Sequence, residues 1–178
     1  MRVFIAALLP DEIKDHIESY VHSIRSNIMR VKWEKPEKLH ITLKFLGDID
    51  DKQLNEVNDI VFAAVADISK INLSLTNFGA FPSLSRPRVL YVGFSASEAI
   101  SDLQGIIDAG LLEAGFDKEQ RKFIPHVTIG RVKSGFKLAA PLPIIEEKKL
   151  VIDKIAVVRS FINTKGSEYK NLSVYELN

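Results

Sequence analysis

Two tetrapeptides of one pattern, His-apolar-Thr-apolar, constrain this chain more than any other feature: His40-Ile41-Thr42-Leu43 and His126-Val127-Thr128-Ile129. They lie 86 residues apart in 178, so each half of the chain holds one copy. Both sit in stretches rich in β-formers, and side chains along a strand alternate faces. Each histidine therefore shares a face with its threonine, while the apolar residues anchor the other face in a core. Two halves packed with these strands toward one groove would gather two imidazoles and two hydroxyls around a single cavity. A lone His-x-Thr is usually incidental. One copy per half, in matching strands, is a much stronger signal.

The surrounding chain alternates strands and helices. Arg2–Leu9 reads as a core strand, and Pro10-Asp11 opens a helix with Ile13, Ile17, Val21, Ile24 and Ile28 on one face. Val31–Trp33 is a short strand, Glu34–Lys38 a polar loop, and His40–Leu46 a strand ending at Gly47-Asp48. Asp50-Asp51 places acid at the start of a second helix, where the helix dipole favours it. Leu54, Val57, Ile60, Val61, Ala64, Val65 and Ile68 form that helix's apolar stripe. Ile71–Phe78 and Val89–Phe94 are strands, with Pro82–Pro87 as a loop between them. Ala99–Ala114 is a helix weakened by Gly105 and Gly110 and stopped at Gly115. Lys122–Arg131 is a strand with Pro125 near its start, where a missing N–H is tolerable. Leu150–Val158 and Leu172–Leu177 are closing strands, and Phe136–Glu147 takes no clear assignment. There is no Gly-rich phosphate loop and no linker. The expectation is one α+β domain over 1–178 with antiparallel sheets.

Composition narrows the function classes. The formal net charge is +1, so any anion site has to be local. Cysteine is absent, which removes disulfide frameworks, thiolate nucleophiles and Cys-based zinc sites. The apolar start is short, lacks a small-residue cleavage site and leads into a polar helix, so it reads as a strand and not a signal peptide. No apolar run approaches membrane-spanning length. The cytoplasm is the expected compartment, with no membrane partner.

The motif residues suit phosphodiester chemistry. Opening a phosphodiester with water needs a base for the nucleophile and an acid for the leaving alkoxide. Histidine, with an ordinary pKa near ~6.5, fills either role near neutral pH. Threonine hydroxyls can donate to non-bridging oxygens as charge develops on them. Arg131, five residues after His126, offers a fork matched to two phosphate oxygens. Its odd offset points it away from the groove in a regular strand, unless the strand bulges near Gly130. A metal site on His40 and His126 lacks a third ligand, and no metal or other cofactor is expected. His16 and His22 read as helix-surface residues. Arg86-Pro87-Arg88 and Lys118–Lys122 could steer an acidic substrate, but solvated loop charge explains them as well. Trp33 and Phe45 could stack on a base, although core packing is the commoner fate of such rings.

The paired motifs resemble the signature of the two-histidine phosphoesterase superfamily. Longer words narrow the resemblance to the RNA 2′,3′-cyclic phosphodiesterases, also called 2′-5′ RNA ligases. These words are Arg2–Ala6, Trp33 with Pro36–Gly47, Arg86–Gly93, Phe123–Arg131, and the C-terminal Ser160, Gly166 and Tyr169. They run in order along nearly the whole chain. The resemblance implies a bilobal α+β fold, with two antiparallel sheets flanked by helices, a pseudo-twofold and a central groove. It also implies metal-free hydrolysis of an RNA 2′,3′-cyclic phosphate to a 2′-phosphate. By carry-over, His40 donates a proton to the departing O3′ and His126 activates water. Thr42, Thr128 and Arg131 then hold the phosphate, with Phe45 and Pro125 among the expected substrate contacts. Members also join RNA ends through a 2′-5′ linkage by running ring-opening backwards. The expected partner is an RNA end bearing the cyclic phosphate, tRNA fragments included, acted on by a monomer. Two other substrates fit the same motifs, a small cyclic nucleotide and the cyclic phosphate of an ADP-ribose. A non-catalytic RNA-end binding module is the alternative from another class. Tyr91 stands where the family often has Trp, and Phe136–Lys149 matches poorly.

Overall fold

The structure, a computed structural model, describes residues 1–26, 28, 30–95, 98–133, 142, 144–163 and 166–178. Among them it has nine strands and three helices. In chain order these are β1 (Arg2–Leu8), α1 (Asp11–Arg25), β2 (Val31–Trp33) and, after a 3₁₀ turn at Pro36–Lys38, β3 (His40–Asp48). There follow α2 (Asp51–Val65), β4 (Ile71–Phe81), β5 (Val89–Phe94) and α3 (Glu98–Glu113). β6 (His126–Val132), β7 (Lys149–Ile152), β8 (Lys154–Asn163) and β9 (Gly166–Glu176) complete the fold.

All pairings are antiparallel, in the order β7-β4-β5-β6-β3-β1-β8-β9, with β2 added on β6. The expected α+β architecture is present, and its two sheets are continuous through one seam. There β3 meets β6 with Ile41 opposite Val127, the central pair of the two motifs. Each lobe then fans out from its motif strand, β3-β1-β8-β9 on one side and β6-β5-β4-β7 on the other.

Alternation explains why the seam holds. Ile41, Leu43, Val127 and Ile129 all face a core they share with Ile13 and Ile17 of α1, Val57 and Val61 of α2, and Ile100, Leu103 and Leu111 of α3. Ile41 and Val127 are fully buried. Truncating Ile41 to alanine at the seam would cost about 2–5 kcal/mol. Asp50 caps α2, its carboxylate accepting from Gln53 N at 2.8 Å while Gln53 Oε1 accepts from Asp50 N. Gly110 lets α3 approach α2, since a Cβ there would lie 2.9 Å from Ile60 Cγ2. No helix among the described residues is long and apolar enough to cross a membrane.

Several boundaries differ from those expected. α1 stops at Arg25, before Ile28, which still packs on the core. β4 continues to Phe81, and β9 begins at Gly166 because it forms a long hairpin with β8. The strand expected over Lys122–Arg131 starts only at His126, since before it the ladder holds a single contact, Phe94 N to the Pro125 carbonyl at 3.3 Å. The strand expected over Leu150–Val158 breaks at Asp153, with β7 pairing with β4 and β8 with β1. Most of the unassigned Phe136–Glu147 segment lies outside the described residues.

Candidate active site

The two motif strands carry the same irregularity. On β3, Leu8 pairs with His40, Ala6 with Thr42, Ile5 with Lys44 and Phe4 with Phe45, so Leu43 is bulged out of the ladder. On β6, Gly93 pairs with His126, Tyr91 with Thr128, Leu90 with Gly130 and Val89 with Arg131, so Ile129 is bulged. A bulge shifts the alternation by one residue. Past it, the fourth residue after each histidine, Lys44 or Gly130, turns into the core side and is buried. The fifth, Phe45 or Arg131, turns to the groove.

This settles the conflict over Arg131: the strand bulges, and the side chain joins the motif face. One small cavity of about 30 Å³ is lined by Glu34, Lys38, His40, Thr42, Phe45, His126, Thr128, Arg131 and Tyr169. A larger one, about 420 Å³, shares Lys38, His40 and Tyr169 with it. The bulge also corrects the core placement of Phe45, which is 62% exposed. Trp33 does pack against the core. Pro125, expected at the substrate, is buried and does not line the cavity; its carbonyl is engaged by Phe94. His16 sits on α1 against Tyr20, and His22 is exposed near the end of the same helix, both away from the cavity. Arg86, Arg88 and Lys118–Lys122 line no part of it.

Hydrogen bonds set the tautomer of both rings. His40 Nδ1 lies 2.7 Å from the Lys38 carbonyl, and His126 Nδ1 lies 2.7 Å from the Ile124 carbonyl. A carbonyl only accepts, so each Nδ1 carries the proton and each Nε2 is the free base of the neutral ring. Thr42 Oγ1 lies 3.1 Å from His40 Nε2 and donates to it while that ring is neutral. Aromatic neighbours hold the planes. His40 stacks on Phe4 at 4.8 Å and meets the edge of Tyr169 at 5.4 Å. His126 meets Phe81 at 5.0 Å and Tyr91 at 5.4 Å, and those two rings stack on each other. The Tyr91 ring lies over Gly79, where a Cβ would fall 2.3 Å from it.

Burial among these rings pushes both imidazoles toward the neutral form. His40 falls to about 4, first by desolvation and then by the charge of His126, against the Lys38 carbonyl, which favours the protonated ring. His126 is lowered by desolvation, with the Ile124 carbonyl opposing. The Tyr169 hydroxyl is raised by burial and by the Glu34 carboxylate. Glu34 also holds Arg131, its Oε1 3.6 Å from Nε. Glu34, Lys38 and Phe4 were not legible as site residues, because nothing in their spacing links them to either motif. Among the described residues, no group of three or more His, Asp or Glu side chains is placed to hold a metal ion.

A sequence model of LigT-like phosphoesterases matches residues 8–91 and 92–161, one motif in each segment. The chain belongs to that family. A LigT-like phosphoesterase of this length has relatives along its whole extent. It is 29% identical to an RNA 2′,3′-cyclic phosphodiesterase of Methanothermobacter thermautotrophicus, over 99% of both chains. It is 31% identical to one of Methanocaldococcus jannaschii, over 99% of this chain and 91% of the relative. Among solved structures, TT0787 of Thermus thermophilus superposes with a TM-score of 0.84 at 26% identity, covering 99% of this chain and 98% of that one.

Proposed function

We propose that this LigT-like phosphoesterase hydrolyses RNA 2′,3′-cyclic phosphate ends to 2′-phosphomonoesters, with His126 as base and His40 as acid. One observation carries this reading: two imidazoles in matched registers, each with Nδ1–H committed to a carbonyl, border one small cavity. The names of its relatives supply the substrate class.

The step balances as follows. His126 Nε2 takes a proton from water as the water oxygen bonds to phosphorus. The P–O3′ bond breaks, and O3′ takes the proton of His40 Nε2–H. Thr42, Thr128 and Arg131 donate to the non-bridging oxygens as their charge grows. In the free protein, burial keeps His40 neutral at pH 7. The substrate's phosphate, an anion between the rings, favours the protonated form and so readies the acid. With an RNA 5′-hydroxyl in place of water in the same ring-opening step, the P–O3′ bond breaks, O3′ takes the proton of His40, and the new P–O5′ bond gives a 2′-5′ linkage. Phe45, exposed at the cavity edge, offers a face on which a base can stack. The protein works as a cytoplasmic monomer and needs no metal.

Turnover of an oligonucleotide with a 3′-terminal cyclic phosphate, measured after exhaustive EDTA treatment, tests this. The expected result is undiminished conversion to the 2′-phosphate. Loss of activity that zinc or manganese restores would sink the metal-free mechanism. Faster turnover of cyclic mononucleotides or of ADP-ribose cyclic phosphate would move the substrate away from RNA, and binding without turnover would leave an RNA-end module.

A further inference from the structure

We propose that Lys44 is a positioning residue for His126, acting across the seam through the segment that leads into the second motif. The proposal rests on His126 being the base. Lys44 stands in the first motif strand, four residues after His40, and the bulge at Leu43 turns it away from the groove. It is 6% exposed, the single charged side chain buried this deeply among the described residues. Its Nζ donates to Asp108 Oδ1 at 2.5 Å and to the Asp117 carbonyl at 2.6 Å. Asp108 Oδ1 also accepts from Glu119 N at 3.3 Å.

Those contacts fix the start of a segment with few others. α3 ends with Gly115 at φ +87°, Gly115 N on the Leu112 carbonyl and Phe116 N on the Leu111 carbonyl. Residues 117–125 then run without regular structure to His126. Their far end supplies the Ile124 carbonyl that sets the His126 tautomer. Lys44 and Asp108 therefore hold the near end of the arm whose far end orients the ring.

The other half of the molecule shows the same logic by another means. The lead-in to His40 is braced on β6: Val31–Trp33 pair with Gly130–Val132, and Glu34 N donates to the carbonyl of the bulged Ile129 at 2.9 Å. Gly130 is the counterpart of Lys44, and a Cβ there would lie 2.6 Å from Val31 Cγ1. Each motif strand thus holds the approach to the other motif, by a backbone ladder in one case and by a buried lysine in the other. A buried ion pair is weak evidence for stability, since an apolar pair of similar volume often serves as well or better. The pair's two hydrogen bonds to the backbone of the arm suit orientation.

Lys44→Met and Lys44→Met/Asp108→Leu separate orientation from stability. The single variant leaves the largely buried Asp108 carboxylate without its cation, so its thermal midpoint should drop; the double variant should recover that midpoint. In both, kcat should fall about tenfold or more with KM within about twofold, since a small misplacement of a catalytic group is costly. Imidazole NMR gives a readout independent of turnover. The His126 Nδ1–H signal should broaden or shift, while that of His40 stays in place. Wild-type kcat and an unchanged His126 signal in the folded double variant would overturn the proposal, leaving Lys44 a purely structural residue. Should Lys44→Met fail to fold, the double variant decides alone, and Lys44→Gln, which keeps an N–H donor, should fall between it and wild type. If the wild-type protein turns over no cyclic phosphate, the acid–base reading fails while the NMR comparison still tests the positioning.

Discussion

The strands bearing His40 and His126 share one register, one bulge and one Nδ1–H to carbonyl contact, yet they diverge at the fourth and fifth residues after each histidine. The fourth is Lys44 in one lobe and Gly130 in the other; the fifth is Phe45 or Arg131. What is common delivers two equivalent bases to one cavity. What differs assigns them unequal surroundings, with a ring contributed to the cavity by one strand and a guanidinium by the other. Symmetry thus accounts for the chemistry both lobes can do, and its breaking accounts for orientation.

The largest effects should fall on what the lobes share. His40→Ala and His126→Ala should each lower turnover about a hundredfold or more, as expected when a placed acid or base is removed. The double variant should lose less than the product of the two, because the pair acts as a unit. Steady-state kinetics of the three variants, with His16→Ala as a control of near wild-type rate, checks this. A mild loss at His126 beside a strong one at His16 would break the comparison at its root.

The fifth positions should show the asymmetry. Arg131→Ala should cost about ten- to a hundredfold in kcat/KM, and Arg131→Lys should keep only part of it, retaining charge but losing the fork. Phe45→Ala should raise KM for nucleotides about tenfold, on the scale of a base–aromatic stack, and leave glycerol 1,2-cyclic phosphate unaffected. Equal losses on both substrates in both variants would show that the two positions do the same work.

These positions also show what a sequence conceals. The motifs were legible because four contiguous residues repeat and strand alternation places them. Alternation also puts Phe45 in the core and Lys44 beside His40, and the bulges reverse both placements. The corresponding bulge in β6 brings Arg131 to the cavity that both motifs line, and only Gly130 hinted at it. The α+β class and eight of the nine strands followed from periodicity. The break at Asp153 did not, because Leu150–Val158 is continuously strand-like and only pairing with different neighbours divides it. Glu34 and Asp108 reach Arg131 and Lys44 from distant segments, a contact that no local pattern encodes.

Gly130 tests the fourth position directly. Gly130→Ala would press a methyl into Val31 and Trp33, so the β2 brace must shift. Overpacking of this kind costs about 1–3 kcal/mol. Urea denaturation should show that loss, with kcat falling because Glu34 and the lead-in to His40 move with β2. A stable, fully active Gly130→Ala protein would mean that the β2 brace tolerates displacement and plays no part in placing His40.

The smallest effect is the dependence of stability on pH, and it sharpens the difference between the two rings. His40 titrates near ~6.5 in the unfolded chain and at about 4 in the folded protein. Between those values the unfolded chain binds the proton and the native protein does not. Stability therefore falls as pH drops through that window and levels off below about 4. Between pH 7 and 5.5 the share due to His40 is about 1 kcal/mol by linkage. His40→Asn should flatten the curve by that amount, and His126→Asn should flatten it in the same direction, since burial lowers that ring too. The same displacement governs rate. If the active free enzyme carries one proton on the pair, kcat/KM should trace a bell whose centre lies on the acid side of ~6.5, its limbs belonging to the pair and not to either ring. Denaturation curves at pH 7 and 5.5, together with a pH–rate profile, measure both. A stability difference that His40→Asn leaves untouched, with a bell centred above neutrality, would show that Phe4 and Tyr169 do not desolvate His40 in solution, and the inequality between the lobes would then rest on their fourth and fifth residues alone.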